Sequence, residues 1–552
     1  MLLIINLLTI DTSSFNKPER ILRLLMANVL QSPPSFKVSS NIFTLNYLVE
    51  GNSNDGNQFN CDDYTLSPYS SDGECNQTGS VVSAHTDDSR GTSDTSSTSS
   101  DHEVDVFKST SPESSFINLC EIHQIHLELS RQVGKEVFNI SEYGSVASFM
   151  QYRIETGIET GSFLVTNLNS VLKQFNQWKQ ELPMVDPFYA VKCNPDPAIV
   201  RLLASLGCSF DCATMGEIDL VLHGLGNDLS FANLNKAATS VVYANPAKME
   251  HMLKFAIENK VKMTVFDGED ELYKISSIPG GNNLQLLLRL TTDDKSSICR
   301  FSKKFGCPVA EAPKLLEIAK SLGLHVAGVS FHVGSGCGDA NAYKTALDHA
   351  RTVFDCAESL DMTPMTIVDL GGGFPGDTSG YGGPGMPTFH QLAATIRDGI
   401  ADFMKIEKRS CDKIRFIAEP GRYFVSASTS ITTKVYSRKG GSNKYQALYV
   451  DDGVYGSFNN VVYDHANPIP MLLSDAVSVA KGEVHSKEVI PSAVFGPTCD
   501  GLDQMCSLES TNLPHCEVGE WLIWDNMGAY THTASFVFNG YTHIPSKSYC
   551  FI

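Results

Sequence analysis

Residues able to do chemistry stand at the ends of short apolar runs between positions 187 and 422. Lys192 follows PFYAV, Asp211 lies in FDCA, His332 in FHVGSG, and Glu419 in AEPGR. A lysine at the mouth of an apolar strand is partly desolvated, which lowers the pKa of its ammonium and favours imine formation. A carboxylate such as Glu419 keeps a nearby pyridine nitrogen protonated, so that the ring can accept electrons. These residue types predict catalysis with a cofactor that has a basic ring nitrogen.

Glycines and a guanidinium in the same region could hold a phosphate group. Gly372 and Gly373 follow an apolar run, and backbone N–H groups freed by glycine can cradle an anion. Arg422, directly after Gly421, is a candidate for a phosphate contact. The segment has neither the Lys-Ser/Thr of a Walker loop nor a clean dinucleotide fingerprint, so nucleotide binding is not supported.

Each of these residues also has a structural explanation when it is taken alone. Lys192 could be a surface lysine, His332 a hydrogen-bonded core histidine, and Glu419 with Arg422 a buried ion pair. The functional interpretation rests on their shared position, because the carboxyl ends of barrel strands converge on one rim.

The elements that must position these residues form a repeating pattern. Eight short apolar runs alternate with helix-like stretches such as 310–322, and this alternation predicts an α/β fold built on a (β/α)8 TIM-type barrel. The runs are Phe188–Lys192, Phe210–Ala213, Val241–Asn245, Thr264–Asp267, Leu286–Leu290, Gly328–Val333, Thr366–Gly371 and Arg415–Glu419.

Composition divides the chain into four parts. Residues 1–118 include a segment rich in Ser, Thr and acidic residues, and we expect a disordered, low-complexity extension. Residues 119–160 are expected to lead into the β domain, 161–424 to form the barrel, and 425–552 to form a mostly β, sandwich or Greek-key-like domain. The strand-like runs of the last part are Ile431–Tyr436, Tyr445–Val450, Ala493–Phe495, Glu520–Trp524 and Ser535–Phe538.

Charge and cysteine content limit the partners and the compartment. The formal net charge of −20 argues against nucleic acid as a partner. The fifteen scattered cysteines are typical of a reduced, cytoplasmic protein, and no zinc-ligand spacing accompanies Cys208 and Cys212, so we expect no metal. The apolar start MLLIINLLTI is too short to span a membrane.

Eight ordered motifs resemble the eukaryotic ornithine decarboxylases, pyridoxal phosphate (PLP) dependent enzymes with an alanine racemase-like fold. The resemblance extends from about residue 120 to residue 552. The motifs are PFYAVKCN (187–194), FDCA (210–213), SFHVGSGC (330–337), GGGFPG (371–376), AEPGRYF (418–424), YDHA (463–466), GPTCDGLD (496–503) and DNMGAYT (525–531).

The resemblance implies roles for matching positions around PLP. Lys192 corresponds to the lysine that binds PLP covalently, His332 to the imidazole stacked on the ring, and Glu419 to the partner of the ring nitrogen. Glu217 corresponds to a supporting residue. The further residues expected to contact or support the cofactor are Asp211, Arg300, Ser335, Gly372, Gly373, Gly421, Arg422 and Tyr530.

The family also implies the substrate and the assembly. The expected reaction is decarboxylation of L-ornithine to putrescine, the first step of polyamine biosynthesis. Cys499 corresponds to the thiol that protonates Cα, and Asp464 and Asp500 to carboxylates that bind the distal ammonium, with Tyr463 beside them. Cys499 and Asp500 are expected to reach the barrel of a second subunit in a homodimer with shared active sites.

Two alternatives stay open on the sequence alone. One is a catalytically inactive, antizyme-inhibitor-like binding protein, and Lys254–Glu271 corresponds to the antizyme-binding segment of relatives. The other is the same chemistry on lysine, arginine or diaminopimelate. A lysine side activity remains compatible with the sequence because one methylene is worth only about 1–3 kcal/mol. The segment Asn227–Ser240 is longer than expected for the family.

Overall fold

A computed structural model describes residues 136–224, 241–376, 385–406, 414–440, 444–483, 487–541 and 545–551. The predicted extension 1–118 and the segment Asn227–Ser240 lie outside the described residues, and the expected lead-in 119–160 is described only from Glu136 onward.

The described strands divide between a closed barrel and a larger sheet. In chain order they are β1 (Val137–Asn139), β2 (Phe163–Asn167), β3 (Val185–Ala190), β4 (Ser209–Cys212), β5 (Val241–Tyr243), β6 (Met263–Phe266), β7 (Gln285–Arg289), β8 (Ser297–Cys299), β9 (His325–Ser330), β10 (Ser335–Cys337), β11 (Ile367–Asp369), β12 (Arg415–Ala418), β13 (Thr429–Lys439), β14 (Gln446–Val450), β15 (Pro470–Leu472), β16 (Val489–Phe495), β17 (Gln504–Cys506), β18 (Asn512–Pro514), β19 (Trp521–Trp524) and β20 (Ser546–Phe551).

The longer described helices alternate with the barrel strands. In chain order the helices are α1 (Val146–Glu155), α2 (Leu168–Glu181), α3 (Pro197–Ser205), α4 (Met215–Leu222), α5 (Glu250–Glu258), α6 (Glu269–Ser277), α7 (Ala312–Ser321), α8 (Asn341–Ser359), α9 (Phe389–Ile406), α10 (Arg422–Val425), α11 (Asn460–Tyr463) and α12 (Leu473–Ala480).

The predicted (β/α)8 barrel is confirmed. Strands β3, β4, β5, β6, β7, β9, β11 and β12 are parallel neighbours, and β12 pairs with β3 to close the barrel. Each of the eight predicted runs overlaps one of these strands. Each barrel strand is apolar along its length because both of its faces are covered. Helices pack on the outer face, and side chains of the other strands pack on the inner face. The inward cluster consists of Phe188, Val242, Ala244, Met263, Val265, Leu287, Ala327, Ile367 and Ile417.

Local sequence signals begin the helices that follow the first two barrel strands. Asp196 accepts a hydrogen bond from the Ala198 N–H, and Pro197 occupies the first turn of α3, where its missing N–H costs nothing. The Thr214 hydroxyl likewise accepts from the Glu217 N–H at the start of α4. These caps fix where the chain leaves the barrel rim, just after the ends of β3 and β4.

The second unit is a ten-stranded sheet. Its main path is β1-β20-β2-β13-β14-β16-β17, and β15, β18 and β19 pair at its sides. The mostly β character predicted for this part is confirmed, but the sheet also takes in β1 and β2 from before the barrel. β2 pairs with β13 and β20, with Phe163 and Val165 buried in the sheet core. The predicted barrel start at residue 161 therefore precedes a strand of the sheet, and the barrel itself begins at Val185.

One predicted strand is not formed. Ser535–Phe538 is irregular and follows a 3-10 turn, His532–Ala534. Its aromatic residues are held by side-chain packing and not by backbone hydrogen bonds to a neighbouring strand. The Phe538 ring stacks on Tyr455 with centroids 4.3 Å apart. Among the described residues, no helix is both long and apolar enough to cross a bilayer.

Candidate active site

A cavity of about 480 Å³ lies at the carboxyl ends of the barrel strands, with residues of the β sheet on one side. This is the end of the barrel where such folds carry their active sites. Eleven of the residues predicted from sequence line it. They are Lys192, His332, Ser335, Gly372, Gly373, Glu419, Gly421, Arg422, Tyr463, Asp464 and Tyr530.

Lys192 lies in a 3-10 turn that directly follows β3, and its ammonium pairs with the carboxylate of Asp211 at the end of β4. Asp211 is fully buried, and its Oδ1 atom has no hydrogen-bond partner among the described residues. Burial opposes the charge of Lys192, but the carboxylates of Asp211 and Glu419 outweigh burial and raise its pKa. The sequence-based expectation of a lowered pKa for Lys192 is therefore wrong in this structure, because desolvation was considered without the neighbouring anions.

Glu217 supports the end of β4 and does not line the cavity. Its Oε2 atom accepts a hydrogen bond from the backbone N–H of Ala213, at 2.6 Å, and Ala213 lines the cavity. Burial raises the pKa of Glu217, and the Ala213 N–H partly offsets this. The predicted supporting role agrees with this position one layer behind the cavity wall.

Glu419 follows β12 and is buried at the cavity wall, where its Oε1 atom has no partner among the described residues. Burial raises the pKa of Glu419 well above its usual value, and the negative charges of Asp369 and Asp211 raise it further. Asp369 is fully buried at the end of β11, and burial raises its pKa to about 6. A positively charged ring N–H placed at the unpaired oxygen would favour the ionised carboxylate and so oppose these effects.

His332 follows β9, and its ring is fixed in one orientation. Its Nδ1 atom accepts a hydrogen bond from the Gly334 N–H at 3.0 Å, so the neutral ring carries its proton on Nε2. The Phe301 ring meets it edge-on, with centroids 4.9 Å apart and an interplanar angle of 87°. Burial, with the positive charges of Arg289 and Lys192, lowers the pKa of His332 well below its usual value. The imidazole is therefore neutral and apolar enough to lie against an aromatic ring.

The glycines after β11 pack closely against the neighbouring loop. A Cβ atom on Gly372 would lie 2.7 Å from Nε2 of His332, and one on Gly373 would lie 2.8 Å from the Gly334 carbonyl. Gly373 also has a φ of +113°, which side chains rarely allow. Glycine is therefore required at both positions, and both residues line the cavity with their backbone.

Arg422 joins the barrel to the β sheet at the cavity. Its Nη2 atom donates to Oδ2 of Asp464 at 2.6 Å and to the Ser335 hydroxyl at 3.3 Å, and its guanidinium lies 5.2 Å from the Tyr530 ring centroid. Tyr530 in turn donates its backbone N–H to the carbonyl of Cys193, next to Lys192. Asp464 and Tyr463, at the end of α11, line the same cavity.

The residues fit PLP. The unpartnered oxygen of Glu419 suits a protonated pyridine nitrogen, the amine of Lys192 suits the aldehyde carbon, and the glycine cradle with Ser335 and Arg422 suits a phosphate. Among the described residues, no group of three or more His, Cys, Asp and Glu could hold a metal ion.

Arg300, which is predicted to lie at the site, does not line the cavity, whereas Arg289 does. Arg300 is exposed, and its Nη2 atom donates to the Lys295 carbonyl at 2.7 Å, outside the cavity. Arg289, which the sequence analysis did not select, ends β7, lines the cavity and is 9% exposed. The rule that polar residues at the ends of barrel strands converge predicts Arg289, whereas Arg300 follows β8, which is not a barrel strand.

Three further residues of the wall, Cys299, Phe301 and Phe305, come from the end of β8 and the segment after it. β8 pairs antiparallel with β10, which follows the next barrel strand, β9, so the two form a small separate sheet. Asp294 fixes the segment after β8, because its Oδ2 atom accepts the backbone N–H groups of Phe301 and Ser302 at 2.6 and 2.8 Å. No spacing in the sequence signals these residues, since their position depends on the pairing of two strands that are distant in the chain.

Cys499 and Asp500 are not brought into the cavity of their own chain. Cys499 is exposed in the loop after β16, and its backbone N–H donates to Oδ1 of Asn539 at 3.1 Å. Asp500 accepts a hydrogen bond from the Tyr455 hydroxyl, and this bond lowers the pKa of its carboxyl. In the described structure, neither residue lines the cavity of its own chain.

Comparison with known proteins agrees with this site. Residues 168–426 match the family model described as the pyridoxal binding domain of pyridoxal-dependent decarboxylases. The chain is 39% identical to ornithine decarboxylase of Caenorhabditis elegans over 394 residues, 69% of this chain and 85% of that protein. It is also 39% identical to antizyme inhibitor 2 of Xenopus laevis over 424 residues, 74% of this chain and 86% of that protein.

A solved structure shares the whole architecture. The arginine decarboxylase of Paramecium bursaria Chlorella virus, bound to agmatine, superimposes with a TM-score of 0.64 at 29% identity, covering 74% of this chain and 100% of that one. Fold and site together define a PLP-dependent decarboxylase, with PLP as its cofactor. Within that class, the chain belongs to the ornithine decarboxylase family.

Proposed function

We propose that this protein converts L-ornithine to putrescine and CO2, the first step of polyamine biosynthesis. The observation that carries the proposal is one cavity in which Lys192, Glu419 and Arg422 face a cofactor-sized space and Asp464 supplies a carboxylate at its edge. The similarity to ornithine decarboxylases, at about 39% identity, supports ornithine over other basic amino acids.

The side chains divide the work of holding the cofactor and the substrate. Lys192 would hold the cofactor through its amine, Glu419 would hold a proton at the ring nitrogen, and Ser335, Gly373 and Arg422 would hold the phosphate. PLP, when bound, supplies the electron sink for the electron pair of the breaking bond. His332, which lines the same cavity, would pack against the cofactor.

The reaction breaks one bond and makes one. The bond from Cα to the carboxylate carbon breaks, CO2 leaves, and Cα takes a proton in place of the carboxylate. We assign that proton to the thiol of Cys499 from a second copy of the chain. Lys192, at the cavity wall, would be the amine that holds the cofactor again once putrescine has left.

Two carboxylates would select the substrate by its distal ammonium. Asp464 lies at the cavity, and Asp500 would enter from the second copy. A buried ammonium or carboxylate left without its partner costs several kcal/mol, so neutral amino acids should be rejected strongly. Diaminopimelate would bring its own carboxylate against these anions, which makes it the least suitable of the alternatives.

The test is CO2 release by the PLP-loaded protein with ornithine, lysine and arginine. We expect ornithine to have the highest kcat/KM, and Lys192→Ala to lower activity by roughly 10³-fold or more. Lys314→Ala, a change at an exposed lysine paired with Glu269, is the matched control and should keep its activity. Equal rates on lysine would overturn the choice of substrate, and full activity in Lys192→Ala would overturn the mechanism.

We further propose a homodimer in which the β sheet unit of each chain faces the barrel of the other. The positions of Cys499, which is exposed, and Asp500, which is partly buried, support this arrangement, because neither residue lines its own cavity. Large apolar side chains near Cys499 and Asp500 are also exposed. Leu502, for example, is 71% exposed. A dimer that covers this surface would complete both sites. Sedimentation of the PLP-loaded protein should therefore give a dimer, and a monomer with full activity would contradict the proposal.

Antizyme binding is the second candidate function, and it is compatible with catalysis. The similarity to antizyme inhibitor 2 favours it, and the segment Lys254–Glu271 spans part of α5, β6 and the start of α6. An inactive antizyme-inhibitor-like protein is the alternative, but Lys192, Asp211 and Glu419 remain together in the cavity region. Capture by purified antizyme tests the binding. Capture without the absorbance band of lysine-bound PLP and without CO2 release would favour the inactive alternative.

We also propose a cytoplasmic location. The eleven cysteines among the described residues are all free thiols, which supports a reducing compartment. Imaging of the tagged full chain, with a secretory-pathway marker as reference, tests this location.

A further inference from the structure

A buried ion pair connects the two halves of the cavity. Arg422 begins α10, directly after the barrel strand β12, whereas Asp464 follows α11 in the β sheet unit. Nη2 of Arg422 lies 2.6 Å from Oδ2 of Asp464, and the two side chains are 7% and 10% exposed. The other carboxylate oxygen, Oδ1, faces the thiol of Cys299 at 3.7 Å. The barrel therefore contacts both oxygens of Asp464.

The guanidinium of Arg422 could also bind a second anion, next to Asp464. Its Nη2 atom also contacts the Ser335 hydroxyl at 3.3 Å, and Gly373 lines the cavity beside it. A phosphate held by Ser335, Gly373 and Arg422 would share the guanidinium that now neutralises Asp464. Planar guanidinium groups suit both carboxylate and phosphate, so the two anions are alternative or shared partners.

The charges determine when Asp464 can bind a cation. Arg422 and Asp464 together carry no net charge, and a carboxylate already compensated by a guanidinium 2.6 Å away attracts an ammonium only weakly. A phosphate group adds about −1.5 to −2 near neutral pH. Arg422, Asp464 and the phosphate together then carry a net negative charge, which an incoming ammonium would neutralise.

We propose that Arg422 couples the cofactor site to the substrate site: phosphate bound at Arg422 frees the charge of Asp464, so that the phosphate becomes part of the recognition of the distal ammonium. This inference rests on the proposed function, which assigns the phosphate to Arg422 and the ammonium to Asp464. It adds a required order, because the ammonium site becomes effective only after the phosphate has arrived. Linkage makes the coupling reciprocal, so a bound diamine must tighten phosphate binding by the same factor.

The test uses the full chain without PLP, with inorganic phosphate and putrescine as probes in isothermal titration calorimetry. We expect saturating phosphate to tighten putrescine binding by about fivefold or more, and putrescine to tighten phosphate binding equally. Sodium chloride at matched ionic strength controls for general salt effects. Independent binding of the two probes in the unmodified protein would overturn the inference.

Two substitutions sharpen the result. Asp464→Asn removes the competing charge, so phosphate alone should bind about fivefold or more tightly than in the unmodified protein, and the coupling should disappear. Asp186→Asn is the matched control, since this carboxylate pairs with Arg415 at 2.8 Å and does not line the cavity. It should leave phosphate binding and the coupling factor unchanged. Equal effects of the two substitutions on phosphate binding would contradict a specific role of the Arg422–Asp464 pair.

The outcome is separable from that of the proposed function. Independent binding of the probes in a protein that releases CO2 from ornithine would remove the coupling and leave the function intact. Coupled binding in a protein that releases no CO2 from ornithine would support the coupling and remove the proposed function.

Discussion

The Nζ atom of Lys248 lies 2.9 Å from Oε1 of Glu271 in a buried ion pair behind the cavity wall. Lys248 is 2% exposed, and its ammonium also donates to the carbonyls of Asn245 and Val265 at 2.9 and 2.7 Å. Because Asn245 lines the cavity and Glu271 belongs to α6, the pair joins the wall of the site to the helix outside the barrel.

Glu271→Gln should lower the free energy of unfolding by about 3–5 kcal/mol, because it leaves a buried ammonium without its anion. Burial already lowers the pKa of Lys248 to about 8 against the attraction of Glu271. Urea denaturation of the protein without PLP measures the change. Glu250→Gln, which breaks the exposed pair with Lys254, is the control and should have little effect. Similar losses in both variants would contradict the importance of the buried pair.

Arg289→Met should weaken PLP binding and lower kcat/KM by about tenfold or more, because it removes a nearly buried cation from the cavity. Arg300→Met should change both within about twofold, since Arg300 is exposed and contacts only a surface carbonyl in the described structure. Fluorescence titration with PLP and steady-state assays with ornithine measure the two effects. The reverse ranking would restore the sequence-based choice of Arg300.

Asp452 should make the folded state less stable as the pH rises. Burial raises its pKa from 3.8 to about 6, so the folded chain holds this proton more tightly than the unfolded chain does. Its contribution is therefore favourable at acid pH and is lost between about pH 4 and 6. Between pH 4.5 and 7 the loss should be about 2 kcal/mol, and Asp452→Asn should remove this part of the pH dependence. Denaturation of both proteins across this range measures it, and parallel curves would disprove the effect.

Two inactive variants should restore activity when they are mixed. In the proposed homodimer, Lys192→Ala and Cys499→Ala would each disable every site of their own dimer, whereas a mixed dimer would have one site with both residues intact. Random exchange of equal amounts should therefore give about a quarter of the activity of the unmodified protein. Subunit exchange followed by a CO2 assay tests this, with each variant alone as the baseline. No recovery despite proven exchange would place Lys192 and Cys499 in sites of the same chain.

The barrel could be predicted because its strands carry their own signal. Runs such as 286–290 are buried on both faces, so each is largely apolar, and helix-like stretches separate them. The boundary at 161 could not be placed in this way, because β2 is equally apolar and only its pairing with β13 assigns it to the sheet. For the same reason Ser535–Phe538 resembled a strand: aromatic side chains that stack on Tyr455 have the composition of a β segment.

The candidate site was predictable where a residue ends a strand. Lys192, Asp211 and Glu419 follow this rule, and Arg289 follows it too although it was overlooked. The raised pKa of Lys192 was not predictable, since it depends on the distances to two carboxylates brought together by folding. Cys299 and Phe301 have no sequence signal, because only the pairing of β8 with the distant strand β10 places this segment at the cavity.

The pairing of β20 between β1 and β2 has a consequence for biosynthesis. Every barrel strand leaves the ribosome before β20 does, so the barrel can close during translation. The sheet, in contrast, stays open at its β1–β2 junction until Ser546–Phe551 has been released, and β2 exposes an unsatisfied edge throughout. During this interval the nascent chain is vulnerable to aggregation through that edge, and chaperone occupancy should be greatest there.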